Sequence, residues 1–307
     1  MDFSTIWCEK YRPSSLNEMV LSKDIRSLIE RYRDQGSTNH LLLISSPGQG
    51  KTSLAKIIVK DIFKCDYLYI NASDENGIDT VRTKIITFAQ TKSLDGNGKI
   101  IILDELDNFT GDGMRALRNV MEEYASNTRF ILTANYKHKI IDPIRSRCLS
   151  IDFNHDIRDV IKHCFNILVK ENIKVSNEQK VLFAHLVKRN FPDFRKTLNE
   201  LQRYSITGEL LIKSSSVSDK FLDSVYDLIK IDVLRARKFI IEHDVEFQAD
   251  YHELMKALLE YTYNLSVDPI KKRDLIIVIV EYMYRHSFVV DTEINCFGCL
   301  LSMSKLC

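Results

Sequence analysis

A chain of 307 residues is longer than one minimal domain, so two or three domains are expected. Lys and Arg total 43 and Asp and Glu 42, a net +1 that excludes a uniformly basic nucleic-acid coat or an acidic tail protein but not a local basic face. Hydrophobic residues at 45% exclude a disordered chain, and only 10 Gly and 5 Pro predict long helices and short loops. The chain begins MDFSTIWCEKYRP, without the apolar core of a signal peptide, and no run of 18 or more apolar residues follows.

Residues 1–151 alternate apolar runs with amphipathic stretches. The predicted strands are His40–Ser45, Tyr67–Asn71, Lys99–Asp104, Arg129–Ala134 and Cys148–Phe153. Each is continuously apolar rather than alternating, as strands covered on both faces are. Helical patterns at Thr52–Phe63, Ile78–Thr91 and Gly113–Tyr124 separate them. Such alternation predicts an α/β fold: a parallel sheet of five strands with helices on both faces.

The strands stop near Asp156. Ile157–Glu171, Asn177–Asn190 and Asp193–Tyr204 read as a three-helix domain, with Pro192 before the third helix and Asp193 as its N-cap. Ser214-Ser215-Ser216 reads as a linker. Phe221–Leu306 is helical again, with a helix start at Asp268-Pro269 and an apolar run Leu275–Val280 suited to a core or subunit contact. The expected division is 1–153, 154–213 and 214–307. Seven scattered cysteines suit reduced thiols in a cytoplasmic protein. Cys296-x-x-Cys299 has only His286 and Cys307 near it, short of a dependable zinc set, and reads as two small residues in a helix.

Ser45-Ser46-Pro47-Gly48-Gln49-Gly50-Lys51-Thr52 follows an apolar strand and opens a helix, the context of a phosphate-binding P-loop. Gly48 and Gly50 let the backbone N–H groups turn toward phosphates. Lys51 is placed for the β- and γ-phosphates and the Thr52 hydroxyl for Mg²⁺. Ser45 stands where the full pattern has its first glycine. Asp104-Glu105 ends the run IIILDE, and ligands bind at the carboxyl ends of such strands. Asp104 there can hold Mg²⁺ and Glu105 can take a proton from an attacking water. RFILTAN ends in polar Thr133 and Asn135, and Asn135 can orient that water. Arg147, in Ser146-Arg147-Cys148, reads either as a surface arginine or as one that stabilises charge on a neighbouring subunit's nucleotide. Arg195, in Asp193-Phe194-Arg195, can tie the small helical domain to the γ-phosphate.

These elements, in this order, resemble those of AAA+ ATPases. Glu9-Lys10-Tyr11-Arg12-Pro13, Asn71-Ala72-Ser73-Asp74-Glu75-Asn76-Gly77-Ile78-Asp79-Thr80-Val81-Arg82 and Ser146-Arg147-Cys148 narrow the likeness to clamp-loader ATPase subunits of the replication factor C small-subunit kind. Asn190-Phe191-Pro192-Asp193-Phe194-Arg195-Lys196-Thr197 is similar to a segment of the T-even phage branch. The resemblance implies a three-helix lid domain after the ATPase domain and an all-α oligomerisation collar at the C-terminus.

The resemblance also implies an ATP hydrolase that opens a sliding clamp and releases it around primer–template DNA during replication. Its partners would be the clamp, primed DNA, copies of itself and one different subunit in a pentamer of four to one, and the replicative polymerase indirectly, with no membrane. ATP and Mg²⁺ are implied: Cys8, Glu9, Lys10, Tyr11 and Val20 at the adenine, Gly48, Gln49, Gly50, Lys51, Thr52 and Ser53 at the phosphates, and Thr52 and Asp104 at the metal. Glu105, Asn135 and Lys51 would act in the subunit's own site with Arg195 as a second sensor, and Arg147 would act in trans. Arg82 and Lys84 would follow the DNA backbone and Phe88 would meet the clamp, against the plainer readings of a solvated helix face and core packing. Met114 stands where the family has glutamine, while Arg118 of the Ala116-Leu117-Arg118 element is retained. The four-cysteine zinc module of the bacterial version is absent. A non-catalytic subunit of the same assembly and another AAA+ DNA motor or helicase loader are the alternative functions.

Overall fold

The computed structural model describes residues 6–91, 98–212, 219–247 and 249–306; the predicted Ser214–Ser216 linker and Cys307 lie outside them. The chain forms two compact units, 1–212 and 213–307.

In the first unit, α1 (Trp7–Lys10) and α2 (Lys23–Gln35) precede β1 (Leu41–Ile44). The P-loop then leads into α3 (Lys51–Ile57), which widens into a π turn over Ile58–Phe63. β2 (Tyr67–Asn71) follows. Ile78–Thr91, read as one helix, is three pieces: α4 (Ile78–Thr80), a π turn (Val81–Ile85) and α5 (Ile86–Gln90). β3 (Lys99–Asp104), α6 (Gly111–Glu123), β4 (Thr128–Ala134), α7 (Asp142–Arg145) and β5 (Leu149–Asp152) complete this part. All five predicted strands form. α2 was not among the predicted elements, although Ser22 caps its start and Gly36, at φ 62°, ends it.

The strands lie in the order β2-β3-β4-β1-β5, all parallel. β1 and β3 are buried along their whole length, which is why their sequences are continuously apolar. One apolar cluster forms around Leu42, Leu103, Phe130 and Leu117 of α6; another forms around Leu43, Ile102, Ile29 of α2 and Leu54 of α3. Met114 is buried in the first of these clusters. The order matters for chemistry: β4 separates β1 from β3, so the carboxyl ends of β1, β4 and β3 lie side by side, beside the point where the chain reverses its progress through the sheet.

Three helices follow in the same unit: α8 (Ile157–Lys170), α9 (Asn177–Asn190) and α10 (Phe194–Tyr204). Asp193 caps α10, its Oδ1 accepting from the Lys196 amide at 2.9 Å. Trp7, from the start of the chain, packs into the core of these helices with Leu168, Val187 and Leu201, and Cys8, Tyr11 and Val20 lie against the same cluster. Tyr11 and Lys10 both reach Glu171, each at 2.6 Å.

The second unit is entirely helical among its described residues: α11 (Asp219–Ile231), α12 (Val233–Glu242), α13 (Tyr251–Asn264), α14 (Pro269–His286) and α15 (Thr292–Ser304). Asp268 caps α14 at the predicted start. Leu275–Val280 is split by helical period. Leu275 and Ile279 are fully buried, whereas Ile277 and Val280 are exposed. Cys296 and Cys299 are buried in the unit's core, and burial raises both thiols. Among the described residues no cluster of three or more His, Cys, Asp and Glu side chains is arranged to hold a metal, and no helix is long and apolar enough to cross a membrane.

Candidate nucleotide-hydrolysis site

A cleft of about 360 Å³ opens at the carboxyl ends of β1, β3 and β4. At its centre is Lys51, buried at the start of α3. Its ammonium is surrounded by the Ser45 carbonyl at 2.7 Å, the Ser45 hydroxyl at 3.2 Å, the Ser46 carbonyl at 3.0 Å and Asn135 Oδ1 at 2.8 Å. Burial pulls the Lys51 pKa down to about 8, even though Asp104, Asp107 and Glu105 favour its charged form; Arg195 opposes them. A buried cation held by neutral oxygens is under-compensated, and an anionic ligand relieves that cost.

The loop geometry favours the same ligand. Gly48 and Gly50 have φ of 78° and 91°, the region where glycine is tolerated without strain, while Ser45 is not among the positive-φ residues. The first glycine of the pattern is therefore dispensable here, and the serine in its place supplies two of the oxygens around Lys51. Gly48 is also tightly packed: a Cβ there would come within 2.0 Å of Asp193 Oδ1. The Phe194 amide donates to the Gly48 carbonyl at 3.2 Å, so the loop is joined directly to the start of α10.

Asp104 ends β3 and gathers three hydroxyls: Thr52 at 2.9 Å from each carboxylate oxygen, Tyr69 at 2.9 Å and Thr133 at 2.6 Å. Burial first, and then the Asp104 charge, raise the Tyr69 phenol. A hydroxyl and a carboxylate in contact at the rim of a phosphate cradle are the hard oxygen donors Mg²⁺ takes, so the donor set fits that ion.

Glu105 turns the chain with φ 57°, an uncommon conformation for a non-glycine residue that points to a functional constraint. Its amide donates to Thr133 Oγ1 at 2.9 Å. Its carboxylate accepts from the Ser73 hydroxyl and from Asn108 Nδ2 at 3.2 Å. Asn135 is fixed from its backbone, whose amide donates to Asp107 Oδ1 at 3.2 Å.

The cleft brings together most of the predicted residues: Cys8, Tyr11, Val20, Gly48 to Ser53, Asp104, Glu105, Asn135 and Arg195. Leu198, Phe194 and His163 from the helical part line its other wall, and burial lowers the His163 pKa, favouring the neutral ring. Glu9 and Lys10 do not line it; they pair with Arg12 at 3.1 Å and Glu171 at 2.6 Å. Arg147 is also outside its own cleft, bonded to the Pro143 carbonyl and paired with Glu122. Arg82 is exposed, and Lys84 pairs with Glu75 at 2.6 Å. Ile85 is fully buried, and Ile86 and Phe88 pack partly buried against the sheet core, with the Lys99 ammonium 4.7 Å from the Phe88 ring.

Sequence reasoning missed Tyr69, Ser73, Asn108 and Asp107, and it noted Thr133 only as polar. Ser73 and Tyr69 flank Asn71 in a segment already singled out. Their position at the end of β2, beside β3, was the signal.

A parallel sheet in this order, a buried P-loop lysine and a hydroxyl-bound acidic pair beside it define a P-loop ATPase of the AAA+ class. Comparisons agree. Residues 41–154 match the family described as ATPase family associated with various cellular activities, and residues 152–212 match the AAA+ ATPase lid domain of the sliding-clamp-loader large subunit. The replication factor C small subunit of Archaeoglobus fulgidus is 32% identical over 319 residues, covering 100% of this chain and 99% of the relative. That of Aeropyrum pernix is 37% identical, covering 83% and 77%. That of Methanococcus maripaludis is 33% identical, covering 91% and 92%. The chain belongs to the replication factor C small-subunit family; it is an ATP hydrolase and the ATPase subunit of a sliding-clamp loader in DNA replication. Among solved structures, the Holliday junction branch migration motor RuvB of Thermotoga maritima is similar, with a TM-score of 0.52, 17% identity, and coverage of 73% of this chain and 80% of that one, a likeness of fold alone.

Proposed function

We propose that the chain couples ATP binding to opening of a ring-shaped clamp, and ATP hydrolysis to its release around primer–template DNA. The carrying observation is the Lys51 site: a buried ammonium between the loop carbonyls and Asn135, next to an acidic pair already organised by hydroxyls. Lys51 and the amides of residues 48–53 hold the phosphates. Cys8, Tyr11 and Val20 form the wall for the base, and Glu9 and Lys10 contribute through backbone alone. Glu105 takes the proton of the attacking water, Asn135 orients that water, and Arg195 reads the γ-phosphate from α10. Thr52 and Asp104 hold Mg²⁺, which when bound supplies charge neutralisation on the phosphates.

Ser73 and Asn108 hold the Glu105 carboxylate. Proton transfer requires it to turn from them toward the water, so these two side chains set the resting activity. Arg147 completes the site of a neighbouring copy. Arg82 and Lys84, exposed on one short stretch, contact DNA phosphates without reading sequence, and Phe88 touches the clamp from the far end of that stretch.

In this reading residues 1–153, 154–213 and 214–307 are the ATPase domain, lid and oligomerisation collar. Exposed Ile270, Ile277, Val280 and Tyr284 recur along α14 at helical spacing, and such an unpartnered apolar stripe supports a collar role. A cytoplasmic pentamer of four copies with one different subunit, as in the T-even phage branch, is supported by the residue 190–197 segment.

The test is steady-state ATP hydrolysis by the chain with its companion subunit, alone, with primer–template DNA, and with DNA and clamp. Stepwise stimulation is expected. Turnover indifferent to both DNA and clamp overturns the loading role and leaves the ATPase assignment intact.

A further inference from the structure

We propose that Glu122 is a positioning residue for Arg147, fixing its guanidinium for use by the active site of a neighbouring copy of this chain. The inference rests on the reading of Arg147 as the arginine that acts in trans.

Arg147 lies between α7 and β5, away from its own cleft. Its Nη1 donates to the Pro143 carbonyl at 2.7 Å and its Nη2 pairs with Glu122 Oε1. A guanidinium has five N–H donors in one plane. Two oxygens of its own chain therefore fix the plane, and among the described residues the other donors are left for an outside anion. Its side chain is only 30% exposed, whereas Arg145, two residues earlier, spends its guanidinium on the adjacent Asp142. Of the two arginines, only Arg147 is gripped from a different element.

Glu122 is braced as well. It sits in the last turn of α6, and Arg118 Nε, one turn earlier, is 3.7 Å from the same Oε1. That nitrogen is buried and has no hydrogen-bond partner among the described residues. Glu122 thus separates two guanidinium groups. Without its carboxylate, Arg118 and Arg147 repel each other and Arg147 keeps one anchor, the Pro143 carbonyl. The pair is partly exposed, so its contribution to stability is small and its removal leaves the fold intact. The effect belongs to catalysis, where a misplaced group can cost up to ~10² in rate.

The experiment compares Glu122→Ala, Glu122→Gln, Arg147→Ala and the Glu122→Ala/Arg147→Ala double variant in the assembled loader on primed DNA. It reads kcat, KM for ATP and single-turnover rate, together with ATP affinity of the isolated chain. The expected result is a kcat about tenfold lower in Glu122→Ala, with KM and ATP affinity unchanged. Glu122→Gln, which keeps an oxygen acceptor, recovers part of the loss. The double variant is no slower than Arg147→Ala alone, because Glu122 acts only through Arg147. If Arg147→Ala hydrolyses normally, the trans reading itself fails. If Arg147→Ala is inactive while Glu122→Ala matches or exceeds the unaltered rate, only the positioning role fails. A Glu122→Ala complex that does not assemble, beside a Glu122→Gln complex that assembles with full kcat, overturns it equally.

Discussion

The two compact units use their unusual residues in opposite directions. At the end of the apolar sheet in residues 1–212, polar side chains point inward: an ammonium, a carboxylate and a threonine hydroxyl are buried there. In residues 213–307 large apolar side chains point outward: Ile277, Tyr284, Phe288 and Val290 are exposed on helices and their ends, while the core beneath is ordinary. Burying polar groups is costly unless they are paired, so the first pattern marks a site that holds charge. Exposing large apolar groups in a row marks a surface that is covered in the working state. On the proposed reading of the second unit as a collar, chemistry and assembly are thus written in different physical terms within one chain.

Substitutions that cross this division are the way to break it. The largest effect is expected for Arg147→Ala, a loss of about 10³–10⁵ in hydrolysis by the assembled loader with ATP binding to the substituted chain nearly unchanged. Weak ATP binding with normal turnover per bound nucleotide would place Arg147 in its own site instead. Next, Glu105→Gln is expected to lower single-turnover hydrolysis by about 10²–10⁴ while leaving nucleotide affinity intact; full activity would remove Glu105 from proton transfer.

Acidity provides a third test. Lys51 in the free protein titrates at about 8, and a bound polyphosphate favours its charged form and so raises that value. The complex then holds more protons than the free protein above pH 8. ATP affinity should be flat below pH 8 and fall about tenfold per unit above it, measured by equilibrium binding to the isolated chain. A flat profile to pH 9.5 would mean that Lys51 is not the dominant phosphate partner. The smallest effect should come from the second unit. Tyr284→Ser is expected to weaken assembly by about 1–2 kcal/mol without changing ATP binding or the melting temperature of the isolated chain. Unchanged assembly, followed by sedimentation, would move the contact to another face.

The inner strands were legible because burial on both faces leaves an uninterrupted apolar run, as in Leu41–Ile44 and Ile100–Leu103; the edge strands β2 and β5, expected to be covered in the same way, are partly exposed, with Tyr67, Tyr69 and Leu149 at the surface. The P-loop and acidic pair were legible because glycine, lysine and carboxylate at those places serve few other purposes. The rest of the site was not. Tyr69 and Thr133 meet at Asp104 only because β2 and β4 flank β3, an order that strand–helix alternation leaves open. Trp7 joins the core of α8–α10 across about 160 residues of chain, a packing contact with no local trace. The unbroken helix read over Ile78–Thr91 contains a π turn, and its apolar residues face the sheet as their spacing suggested.

Gly48 has one more consequence. Its Cα lies so close to Asp193 that no side chain fits between them, and a direct backbone hydrogen bond joins Gly48 to Phe194. The joint between loop and helix therefore contains no long, swivelling side chain to absorb displacement. In mechanical terms it is a gear mesh without backlash. A shift of the loop on binding a phosphate would be passed directly to the first turn of α10, on which Arg195 sits. A methyl group at residue 48 would be grit in the teeth: it would force the two parts apart and introduce play where the coupling tolerates none.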